Sequence, residues 1–215
     1  MNAIIFDMDG LMVDSERVYR QVQHEIAKQF NKTMTEDLRR QMMGRKPQES
    51  LRIFVRELDI PMAAEDVLEM RNTIMREKYK NEMDAMPGLF HIIDSFYGKL
   101  KLAVATGAQQ EFLDIVVDKF NIRNKFAVLQ SSDDIHTGKP DPEIYLNTCK
   151  KLGLPPETCF VLEDSLNGVL AGKSAGCYVI AVPAVYDTET DFSVADFTAT
   201  DLFAAERHIG DLIGI

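Results

Sequence analysis

The sequence predicts an α/β fold: a Rossmann-like, doubly wound parallel sheet with an α-helical domain inserted after its first strand. Three observations carry this. Short apolar runs recur, AIIF at 3–6, KLAVA at 101–105, FAVLQ at 126–130, CFVL at 159–162 and YVIAV at 178–182. Stretches of helical spacing separate the later runs, an alternation that marks parallel strands joined by right-handed crossovers. Residues 15–86 break the rhythm, with helical periods and little strand character.

Taken in order, the run at 3–6 is apolar without alternation, which fits a strand buried on both faces. It is too short for a secretion signal and ends at Asp7, and no stretch approaches the ~18 apolar residues of a membrane span. Helical periods follow at 16–30, 36–43, 48–58 and 64–83, with Gly44 and Pro47 bracketing one break and Ile60-Pro61 another. Pro87-Gly88 returns the chain to the sheet. The expected domains are therefore an α/β core at 1–14 and 87–215 and a helical bundle at 15–86. Within the core, 109–120 places Phe112, Val116 and Phe120 on one helix face. The helix at 141–152 has Pro142 in its first turn and Gly153 after its last, and 165–175 is capped by Asp164 or Ser165 and stops at Gly176.

Composition narrows the partners. The 215 residues carry a formal net charge of −10, which disfavours nucleic acid and anionic membrane surfaces. A small anionic substrate stays open, because one site can be cationic on an acidic protein. Cys149, Cys159 and Cys177 show neither disulfide-framework nor zinc spacing, and free thiols fit a reducing cytoplasm. His24, His91, His136 and His208 share no ligand spacing.

In a parallel sheet, ligands bind beyond the carboxyl ends of the strands. Four groups stand at such ends. Asp7-Met8-Asp9-Gly10 follows the first run, and residues two apart in extended chain face the same way, so both carboxylates reach one cavity. Thr106-Gly107 follows KLAVA and suits a phosphate oxygen, or equally a helix N-cap. Lys139 lies in Gly138-Lys139-Pro140-Asp141-Pro142, where two prolines stiffen the loop. Glu163-Asp164-Ser165 follows CFVL; capping accounts for Asp164 or Ser165 but not for Glu163. Together the acids make an oxygen cluster suited to Mg2+. Acid pair, Thr, Lys and acid pair are the set that phosphoryl transfer requires.

These residues, DMDGLMVDSE at 7–16, VATGA at 104–108, GKPDPEIY at 138–145 and VLEDSLNGVLAGKSAGC at 161–177, resemble the haloacid dehalogenase superfamily, in the branch with a helical cap after the first strand. The resemblance implies a phosphoaspartate mechanism. Asp7 would be the nucleophile and Asp9 the general acid and base. Thr106, the Gly107 backbone and Lys139 would hold the phosphoryl group. Asp7, the main-chain carbonyl of Asp9, Asp164 and Glu163 would bind Mg2+. Gly107 departs from the many relatives with Ser or Asn there, which removes one side-chain contact.

Within the family, an acid at Asp9 disfavours carbon–halogen and carbon–phosphorus cleavage. Two readings remain: a phosphatase for a small phosphorylated metabolite, or a mutase resembling β-phosphoglucomutase. Such mutases carry a cap His where this chain has Tyr19, which favours hydrolysis. The segments MMGRKPQES and VDSERVYR are most similar to the pseudouridine-5′-phosphatase-like branch, which suggests a sugar or nucleoside monophosphate. Arg45 and Lys46 are cationic candidates for substrate contact, or alternatively complement the preceding helix end, and Glu16 is a further candidate near the hinge. A receiver-type signalling module shares acid pair, Asp, Thr and Lys, but is shorter and has no cap. A monomer or weak homo-oligomer is expected.

Overall fold

A computed structural model of the chain describes residues 1–42, 47–184 and 190–215, with 47 and 48 described by backbone alone. Two compact units emerge, Met1–Asp14 with Asp84–Ile215, and Ser15–Met83.

In the first unit the described strands are β1 (Ala3–Phe6), β2 (Lys101–Ala105), β3 (Val128–Gln130), β4 (Cys159–Glu163), β5 (Tyr178–Ala181) and β6 (Phe197–Thr198). They form one parallel sheet in the order β3-β2-β1-β4-β5-β6. The chain steps from β1 outward to β3, then crosses to the other side of β1 to begin β4. That reversal puts the switch point of the sheet between β1 and β4.

β1 is buried along its whole length, as its apolar run requires, and so is β4. Each Ile, Val or Leu so buried contributes about 1.5–3 kcal/mol. The helices of this unit are α5 (Leu89–Phe96), α6 (Gln110–Lys119), α7 (Glu143–Leu152), α8 (Leu166–Ala175) and α9 (Leu202–Ile213). α6 buries Phe112, Leu113, Val116 and Val117. α7 lends Ile144, Tyr145, Cys149 and Leu152 to a core cluster shared with Ile5, Ala103 and Val161. Its start lies two residues later than the sequence pattern suggested, because Pro142 is the N-cap. Ser165 is the cap of α8, its hydroxyl accepting from Gly168 N at 3.1 Å.

The second unit holds α1 (Ser15–Gln29), α2 (Glu36–Met42), α3 (Pro47–Glu57) and α4 (Ala64–Asn81). α1 buries Val18, Val22 and Ile26, one face at four-residue spacing, and packs on α4, which buries Val67, Met75 and Tyr79. Arg45 and Lys46 lie outside the described residues. The chain re-enters the first unit at Asp84, three residues before Pro87. Asp14 N donates to Asp84 O, Met86 N donates to Met12 O, and Val13 bridges Ala85, so 84–86 belong with 12–14. No helix among the described residues is long and apolar enough to cross a membrane.

Candidate active site

Register builds the site. Phe6 pairs with Val104 on one side and Leu162 on the other, so Asp7 stands level with the ends of β2 and β4. Asp7 N continues the ladder to Leu162 O at 3.0 Å. The chain then turns sharply: Met12 N and Val13 N both donate to Met8 O, and Gly10 N donates to Val13 O. Met8 is buried in the core between the two acids. Gly10 has φ +84°, and a Cβ there would collide with the Asp164 carboxylate. The glycine thus serves both the turn and the approach of β4's acid to β1.

Thr106, fully buried, donates its N–H to Gln130 O at 2.9 Å. Its hydroxyl donates to Asp9 Oδ2 at 3.4 Å and accepts from Ala108 N at 3.0 Å. α6 starts later with Gln109 as its N-cap, so Thr106 does not cap that helix. Gly107 is exposed, with no atom within 4 Å of the position a Cβ would take.

Lys139 comes from the loop before α7 and joins β1 to β4: its Nζ donates to Asp7 Oδ1 and to Glu163 Oε1, each at 2.5 Å. The Glu143 carboxylate accepts from His136 N at 3.0 Å and Thr137 N at 2.8 Å, tying down the loop that carries the lysine. Glu163 is fully buried and saturated. Beyond Lys139, its Oε1 accepts from the Tyr145 hydroxyl at 2.8 Å, and its Oε2 accepts from Ser165 N at 3.1 Å and Ser165 Oγ at 3.0 Å.

Charge does not balance locally. Asp7, Glu163 and Asp164 each offer an oxygen, all within 4.8 Å of one another, and Lys139 is the ammonium among them. Burial, opposed by Lys139 but reinforced by Glu163 and Asp9, pushes the Asp7 carboxyl up to about 8. Burial and the Glu163 and Asp7 charges hold Asp164 well above the usual carboxylate range. Burial works against the Lys139 ammonium, yet Asp7 and Glu163 outweigh it and keep it charged. Burial likewise raises the Tyr145 phenol, which stays a donor. An all-oxygen donor set with surplus negative charge fits a hard divalent cation. Asp7 and Asp164 are better disposed as its side-chain ligands than Glu163, whose acceptor positions are filled.

The structure brings Asp7, Asp9, Thr106, Lys139, Glu163 and Asp164 to one end of three adjacent strands. Glu16 lies in the other unit, where its Oε1 accepts from Arg20 Nε at 3.1 Å and Arg39 Nη1 at 2.7 Å. Sequence reasoning passed over Tyr145, Glu143 and Gly168. The available signal was the run GKPDPEIY, which puts Glu143 and Tyr145 in the helix turn nearest Lys139. Gly168 matters through space alone, since a Cβ there would collide with the Glu163 carboxylate. Gly168→Ala is expected to cost more than about tenfold in turnover and to lower Tm by several degrees, because the saturated Glu163 has nowhere to retreat. Steady-state kinetics and thermal unfolding check this.

Comparison with known proteins agrees with the geometry. The family model of haloacid dehalogenase-like hydrolases matches residues 4–182. A phosphorylated carbohydrates phosphatase of Thermotoga maritima is 34% identical over 177 residues, 82% of this chain and 82% of the relative. (DL)-glycerol-3-phosphatase 2 of Arabidopsis thaliana is 34% identical over 213 residues, covering 93% of this chain and 86% of that protein. Among solved structures, a candidate β-phosphoglucomutase from Thermotoga maritima superposes with TM-score 0.82 at 30% identity, covering 100% of both chains. The chain belongs to the haloacid dehalogenase-like hydrolase family.

Proposed function

We propose that this protein hydrolyses a small phosphomonoester, a sugar or nucleoside monophosphate, through an aspartyl phosphate formed on Asp7, with Mg2+ as its cofactor. That the chain is a phosphatase follows from its family and from relatives named as phosphatases. The observation that carries the finer reading is the convergence of Asp7, Asp9, Thr106 and Lys139 beyond the ends of β1 and β2.

An Asp7 oxygen attacks phosphorus and the P–O bond to the substrate alcohol breaks. Asp9, as the acid, gives that leaving oxygen its proton. The same carboxylate then takes a proton from water as the water attacks phosphorus, which frees Asp7 and releases inorganic phosphate. The Thr106 hydroxyl, beside Asp9, and the Gly107 N–H hold non-bridging oxygens, while Lys139 orients Asp7 and meets the phosphoryl charge. Asp7, Asp164 and the main-chain carbonyl of Asp9 are the proposed Mg2+ ligands, with Glu163 behind them as anchor of Lys139. Mg2+, when bound, neutralises carboxylate and phosphoryl charge together.

Substrate class follows the relatives, which are named for phosphorylated carbohydrates and glycerol 3-phosphate. Hydrolysis is favoured over mutase action because Tyr19 stands where mutases of the resembling branch carry His. Tyr19 has Arg71 over its ring at 5.3 Å.

An aryl phosphate and a panel of phosphorylated metabolites test the reading. Turnover is expected with Mg2+, lost in EDTA and restored by excess Mg2+, and Mg2+ alone is expected to raise Tm by several degrees. Undiminished turnover in EDTA overturns the cofactor. Efficient interconversion of β-glucose 1- and 6-phosphates, primed by the bisphosphate, overturns the hydrolase.

A further inference from the structure

Tyr145 is a buried side chain that the mechanism above leaves idle, although it touches both Lys139 and that lysine's partner Glu163. Its hydroxyl donates to Glu163 Oε1 at 2.8 Å, the oxygen that also accepts from Lys139 Nζ. Its ring lies beneath the same ammonium, with Nζ 5.1 Å from the centroid. The side chain is fully buried. It reaches these groups because it sits in the first turn of α7, where side chains lean toward the helix N-terminus and so toward the loop that carries Lys139.

We propose that Tyr145 is a positioning residue for phosphoryl transfer, sharing Glu163 Oε1 with Lys139 so that the ammonium stays centred between Glu163 and Asp7. This inference rests on the phosphatase reading and adds a residue to it. A carboxylate oxygen with two donors pulls less on each than one with a single donor. Without the hydroxyl, Glu163 draws Lys139 toward itself and away from Asp7 Oδ1, and the ring offers the cation a face but no counter-pull. Asp7 then attacks from a worse orientation, while the groups that bind the rest of the substrate are untouched.

Tyr145→Phe keeps the ring and its packing, so the variant is expected to fold with Tm within a few degrees of wild type. Its kcat on the aryl phosphate at saturating Mg2+ is expected to fall about tenfold, with KM changed less than about twofold. In a Glu163→Gln background, where no carboxylate charge pulls the lysine aside, the same change is expected to cost less than about twofold. A folded Tyr145→Phe with wild-type kcat overturns the proposal. So does an equal loss in both backgrounds, which would mean that the hydroxyl acts on general packing and not through Glu163. Inactivity of the wild type on every phosphomonoester instead removes the phosphatase reading itself, so the two failures are told apart by the wild-type assay.

Discussion

Asp7→Asn is expected to abolish turnover, by more than about 10^4-fold in kcat/KM, while leaving a folded protein. A carboxamide has no anionic oxygen to attack phosphorus, and no other side chain is level with the ends of both β2 and β4 on β1. The stability effect runs the other way. Burial holds Asp7 at about 8, above its ordinary value of 3.8, so the ionised carboxylate is disfavoured in the folded state. A group raised in this way contributes its full stability below the unfolded value and loses it as pH rises toward 8. At pH 7 in EDTA, Asn should therefore melt at or above wild type, and the fall in wild-type Tm between about pH 4 and 8 should be shallower in the variant. Calorimetry in EDTA across that range, beside an aryl phosphate assay with Mg2+, measures both. Wild-type turnover by the variant would remove Asp7 as nucleophile.

Lys139→Met should damage both stability and rate. The ammonium is largely buried and is the partner of two buried carboxylates. Removing one member of such a group leaves the others uncompensated, at a cost of about 3–5 kcal/mol. For a chain of this size that lowers Tm by roughly 10 °C. Turnover should fall by about 10^2–10^3, the range for removing one preorganised donor to developing charge. Arg should not restore it, since a planar fork does not fit where a point charge sits 2.5 Å from each of two oxygens. Adding Glu163→Gln to Lys139→Met should recover part of the lost Tm but not the rate. A single variant as stable as wild type would show that the carboxylates do not depend on the lysine.

The residues of the candidate site were legible because each follows an apolar run whose strand identity is itself legible. AIIF ends at Asp7, KLAVA at Thr106 and CFVL just before Glu163, so placing the strands placed the chemistry. What spacing could not convey is how these ends answer one another. Nothing in the interval between Tyr145 and Glu163 shows that phenol and carboxylate meet, because α7 and β4 come together only through the core. Gly168 reads as one of several small residues in a helix, and its tie to Glu163 exists only in space. Elsewhere the sequence pattern was weak. β6 is two residues long, too short for any periodicity, and α5 begins at Leu89 with Gly88 as its N-cap, where a turn signal masks a helix start. Thr106 and Asp164 each had a helix cap as the plain alternative. The structure gives the first cap to Gln109 and the second to Ser165, the other candidate in the sequence.

The placement of β1 has a consequence for how the protein comes into being. The two hydrogen-bonding neighbours of this strand lie roughly 100 and 155 residues further along the chain, a high contact order for the central pairing. Until β4 leaves the ribosome, β1 has one open edge and Asp7 has neither Glu163 nor Asp164 beside it. No chain that stops short of β4 can hold the oxygen cluster, so the candidate site closes only when the last central strand joins the sheet.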